Sequence, residues 1–112
     1  MKIANEKFTE AFEEVVLSVA DGIMEEDYLK IETNGSQEQL YEFREFRGAF
    51  QQRLKLFYWR KFMEFKKKGK EKFFPGDLDE VEKDIYFMYI QFKDFLRKQR
   101  ERLGLPLGFL EE

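Results

Sequence analysis

Two kinds of side chain in this sequence have the type and spacing for chemistry: clustered carboxylates, and a run of cations interleaved with aromatic rings. The carboxylates are Glu13-Glu14 and Glu25-Glu26-Asp27. Paired carboxylates serve as acid and base when their environments push their acidities apart, and three hard oxygen donors in a row can hold a cation weakly. Both groups sit in strongly polar local sequence, where a solvated acidic loop of ordinary acidity is the expectation. Ser18 and Ser36 have no histidine to activate them, because the chain contains none. There is no cysteine either, which excludes thiol chemistry, disulfides and thiolate or imidazole metal sites. The seven glycines are scattered singly, so no phosphate-cradling loop exists. The expectation is a protein that is not an enzyme and takes no cofactor and no metal.

The cations make the sharper pattern. Arg53, Lys55, Arg60, Lys61, Lys66, Lys67, Lys68, Lys70 and Lys72 fall within twenty residues that also carry Tyr58, Trp59 and Phe62. Cations that neutralise phosphates beside rings that stack on bases are what a single-stranded DNA or RNA binder requires. A plainer reading uses the same residues: rings at helical spacing form a core, and flanking lysines keep it soluble. A basic amphipathic helix carrying Trp and Phe also suits a membrane surface. Apolar stripes on two sides and the nearby acidic segments count against that last reading.

Positioning these residues falls to long helices. From Ser36 to Lys68 the apolar residues Leu40, Phe43, Phe46, Phe50, Leu54, Phe57 or Tyr58, Phe62 and Phe65 recur every three or four positions, one face of a helix. Ala49, Leu56, Trp59 and Met63 form a second stripe on another side, and a helix apolar on two sides is expected to be buried between neighbours. Ser36 with Gln39 fits a capping box at its start, while Gly69 and Pro75-Gly76 close its end.

Before it, Phe8, Phe12, Val15, Val16 and Val19 predict a helix over 5–21, capped by Asn5 and weakened or ended at Asp21-Gly22. Residues 23–35 admit a further helix over about 23–32, or a strand through Leu29, Ile31 and Thr33 into an Asn34-Gly35 hairpin. The helix-forming residues that follow favour an interhelical turn at 33–36. After it, Leu78, Val81, Ile85, Met88, Phe92, Phe95 and Gln99 are spaced 3, 4, 3, 4, 3, 4, a heptad pattern predicting a helix over 78–103 capped by Asp77. Tyr86, Tyr89, Ile90 and Leu96 widen its apolar face and point to packing in a bundle. The tail over 104–112 carries Leu105, Leu107, Phe109 and Leu110, which must fold back or dock on another chain.

The 112 residues, 43% hydrophobic and 18% aromatic, suit one folded helical domain with a single core. No run is long and apolar enough to span a bilayer, and the N-terminus does not read as a signal peptide, so a soluble cytoplasmic protein is expected. The net charge of −3 hides a segregation. Residues 1–43 hold three lysines against eleven acids, 44–72 eleven bases against three acids, and 73–112 six bases against nine acids. The acidic and basic blocks are expected to lie against each other, within one chain or between subunits.

The reading that follows is all-α: a compact bundle of three to four helices, with a long central aromatic-rich helix and a long C-terminal one. Its function is expected to be self-association, a dimer being favoured, and binding of another macromolecule, with a protein as the expected partner, as an adaptor, small subunit or regulator. Leu56, Trp59, Met63, Leu105, Leu107, Phe109 and Leu110 are the candidate interface. Nucleic-acid binding through the basic aromatic face of 53–72 is the alternative.

Overall fold

Several helix boundaries are built by local devices. The structure, a computed structural model, describes residues 2–70 and 73–110, with side chains from residue 10 onward. Helix α1 spans Lys2–Asn34, α2 Gln37–Lys67 and α3 Pro75–Leu103, followed by a 3₁₀ turn at Gly108–Leu110. At the start of α2 the Ser36 hydroxyl accepts the Gln39 N–H at 3.1 Å, and the Gln39 side chain accepts the Ser36 N–H at 2.9 Å. These two bonds complete the expected capping box. At its end Gly69 is left-handed (φ 72°), the Lys70 N–H reaches back to the Phe65 carbonyl, and the Gly69 N–H to Lys66. Gly104 ends α3 in the same way, with the Leu105 N–H on the Arg100 carbonyl.

Three expectations are corrected. First, α1 runs unbroken through Asp21-Gly22, so the hairpin and the separate 23–32 helix do not form, and Asn5 lies inside the helix instead of capping it. Gly22 faces solvent, with open space where a Cβ would lie. A helical glycine costs about 1 kcal/mol, and burying Ala20 and Met24 on the opposite side offsets it. Second, α3 begins at Pro75, and Asp77 is not its cap residue: the carboxylate lies within the first turn and accepts the Phe74 N–H at 3.0 Å. Third, the heptad stripe of α3 is buried only in its middle. Val81, Ile85 and Phe92 are buried and Met88 packs against the core, joined by Tyr89 and Leu96 from the widened face, whereas Leu78 and Phe95 toward the two ends of the stripe are exposed.

The helices pack up, down and up. Phe12 near the start of α1 meets Phe62 and Phe65 near the end of α2, and Tyr28 near the end of α1 meets Phe43 near the start of α2. Helix α1, about 50 Å long at 1.5 Å per residue, matches the 52 Å long dimension of the molecule. The core is largely a ring stack. Phe46 lies 5.0 Å from Phe92 nearly parallel to it, and Phe50 meets Tyr89 edge to face at 5.4 Å. The tail folds back onto this stack: Phe109 packs edge to face on Phe43 and Phe46, and Leu110 is fully buried. Arg100 holds the tail by the Leu107 carbonyl at 2.9 Å, and Arg97 by the Leu110 carbonyl at 3.2 Å. The fold is thus an all-α helical bundle. Among the described residues no helix is long and apolar enough to cross a membrane.

Candidate macromolecule-binding surface

The inner face of α2 seats its Phe ladder between the two other helices, and that fixes what its opposite side can do. Phe43, Phe46, Phe50, Leu54 and Phe57 are all buried. One turn after another on the outward side come Leu56, Trp59 and Met63, exposed by 72%, 54% and 38%. The second stripe is therefore real but lies exposed among the described residues. The expectation that both stripes are buried between neighbours fails within one chain, because α1 and α3 both pack on the same side of α2.

The nine predicted cations divide sharply. Lys55, Arg60, Lys66, Lys67 and Lys68 are exposed and make no ion pair among the described residues. They flank the apolar ridge. Lys61 is instead drawn between α2 and α3, with its ammonium 2.8 Å from Asp84, 3.3 Å from Glu80 and 3.5 Å from Glu64. Burial alone would lower its pKa, but the bonds to Asp84 and Glu80 outweigh that and hold it above the ordinary lysine value. Lys70 is bonded to Asp77, whose carboxyl is held low first by that bond and then by the Phe74 N–H. The Arg53 guanidinium lies 4.4 Å over the Phe92 ring. Lys72 lies outside the described residues. Of the three rings offered for stacking, Phe62 is buried and Tyr58 packs against the core, leaving Trp59.

The tail residues separate too. Leu110 is buried, and Leu107 and Phe109 are half-buried in this chain's own fold, so Leu105 is the tail residue left on the surface. The acidic and basic blocks do not neutralise each other across α1 and α2: among the described residues no ion pair joins those helices.

Sequence reasoning missed a polar tie at the other end of the bundle. Asp27 lies in helix α1, not in a solvated loop, and is half-buried between α1 and α3. It accepts the Tyr89 hydroxyl and the Lys93 ammonium, the latter at 2.8 Å. Burial pushes its carboxyl up, yet the bonds from Lys93 and Tyr89 more than reverse this and leave it below the ordinary carboxylate value. Burial, and then the bond to Asp27, raise the Tyr89 phenol strongly. Among the described residues no buried polar side-chain atom lacks a partner, so the cluster acts as a tie between helices. No signal in the acidic run 25–27 singles out Asp27, apart from its place on the face shared with Ile23, Tyr28 and Ile31. Among the described residues no three carboxylates converge on a point that could hold a metal ion.

No family model, no curated protein and no solved structure matches this chain.

Proposed function

We propose that this protein is a non-catalytic binding module that works by self-association and by attachment to another macromolecule through the outward face of α2. One observation carries the reading: Leu56, Trp59 and Met63 stand in a row on the surface of a bundle whose inner stripe is closed. Large apolar side chains in a contiguous exposed patch mark interaction sites, and Trp is prominent among the residues that anchor interfaces. The absence of cysteine suits a reducing compartment such as the cytoplasm.

Trp59 is the chain's single tryptophan, so its emission reports on this face alone. The test is to follow molar mass by light scattering and Trp59 emission together as concentration rises, at low and high salt. The reading expects a mass above that of one chain and a blue shift, both lost in Trp59→Ala or Leu56→Gln at the level of mass. A single-chain mass with unshifted emission at every concentration would remove self-association from it.

A second reading has its own support: Lys55, Arg60, Lys66, Lys67 and Lys68 are exposed on the same helix as the exposed Trp59 indole and make no ion pair among the described residues. That combination suits a single-stranded nucleic acid. It predicts nuclease-sensitive excess absorbance at 260 nm, and a steep loss of oligonucleotide affinity with salt and with K66E/K67E/K68E.

A further inference from the structure

A second helix also presents an exposed apolar patch, and two of its three charged lining residues are acids. Tyr86, Phe87 and Ile90 of α3 are exposed by 55%, 63% and 43%, and with Asp79, Glu82 and Lys83 they line a shallow hollow of about 580 Å³. Both the ridge of α2 and the hollow of α3 lie on outward faces of different helices, so they cannot meet within one chain. We infer that they meet between chains: the Leu56–Trp59–Met63 ridge of one copy docks on the Tyr86–Phe87–Ile90 hollow of the next. This rests on the reading of α2 as a binding surface and names what covers it.

Charge selects this pairing over a two-fold one. An α2 face against its own copy sets Lys55, Arg60 and Lys66 against the same cations, in parallel or antiparallel register. An α3 face against its own copy sets Asp79 against Asp79 in parallel register, and in antiparallel register against Asp94, which is itself paired with Lys98 at 3.0 Å. Like charges brought together at an interface cost several kcal/mol and suppress that partner. Ridge against hollow places the cations of α2 beside Asp79 and Glu82 and covers both apolar patches at once. The hollow has room for the Trp59 indole.

A contact between two different faces leaves one of each free on every pair. The wild type should therefore grow with concentration past the two-chain mass, as open chains or a closed ring, and shrink in high salt. The decisive experiment uses two variants. Leu56→Gln with Trp59→Gln blocks the ridge, and Phe87→Arg blocks the hollow; all three positions are more than half exposed, so helical circular dichroism should be unchanged. Each variant alone should keep the 13.7 kDa of one chain. Mixed in equal amounts they should give a species of twice that mass and no more. In the mixture Trp59 is present in the Phe87→Arg copy alone, so a blue shift of its emission reports that this copy's ridge is covered. Should either variant lose its helical content, Met63→Gln and Tyr86→Arg replace them with molar mass as the readout, since Trp59 is then present in both copies.

Three results overturn the inference. If Phe87→Arg assembles alone while the ridge variant does not, the ridge pairs with itself, and the α2 binding face survives without its proposed partner. If the mixture stays at the single-chain mass, the two faces do not meet. If the wild type is a single chain throughout, no second copy is involved, and the α2 face answers to its own test.

Discussion

The inner and outer faces of α2 are made of similar residues, yet one is core and the other is surface. Seven large apolar side chains on the inner side are buried against α1, α3 and the tail. Three on the outer side are exposed. Helical period reveals that both stripes exist, whereas burial depends on where the other helices go. The two faces should therefore respond very differently to the same truncation. Phe50 is fully buried amid Phe46, Tyr89 and Phe92. Phe50→Ala should cost about 3–5 kcal/mol of unfolding free energy through lost burial and the cavity left behind. Trp59→Ala should cost about 0.5 kcal/mol or less in the single-chain state, measured by urea unfolding of a Phe87→Arg background. A loss at Trp59 approaching that at Phe50 would mean that the outer stripe supports the fold.

Charges show the same contrast at smaller scale. The Glu26–Lys30 pair is 3.8 Å apart with both side chains largely exposed, and an exposed pair contributes little. Asp27, one residue on, ties Tyr89 and Lys93 at a half-buried site. Asp27→Ala strands a buried phenol and a mostly buried ammonium and should cost about 2–3 kcal/mol, whereas Glu26→Ala should cost about 0.5 kcal/mol or less. The pH dependence follows from the sign of the shift. The folded carboxyl of Asp27 titrates below its unfolded value, so its contribution is intact above about pH 4 and disappears as pH falls through the folded pKa. Asp27→Asn should flatten that part of the acid unfolding curve. An unchanged acid limb would show that other carboxylates carry it.

These comparisons also explain what could be read without coordinates. The Ser36–Gln39 box and the glycine at the end of α2 were legible because they are local: the donors and acceptors lie within a few residues. The inner stripe from Phe43 to Phe65 was legible because its period is long and its residues are large. The continuity of α1 past Gly22 was not, since a local penalty there is offset by Ala20 and Met24 packing on distant residues. How far the α3 stripe stays buried toward Leu78 and Phe95 depends on the crossing of whole helices. Among the cations, Lys61 and Lys55 are indistinguishable in sequence; Glu80 and Asp84 become neighbours of Lys61 through folding alone.

The smallest expected effect is the finest probe of the outer face. Gly48 lies on the outward side of α2, exposed, with open space where a Cβ would lie. In a single chain Gly48→Ala gains helix propensity without a clash and should stabilise the protein by about 0.5–1 kcal/mol. Gly22→Ala, outward on α1, has equal room and should gain a similar amount. The two gains should match in the Phe87→Arg background, where the ridge is uncovered. If assembly buries α2 as far as Gly48, then in the wild type the Gly48→Ala gain should shrink as concentration rises, while the Gly22→Ala gain holds. A gain at Gly48 that is equal in both backgrounds at every concentration would confine the contact to Leu56 and beyond.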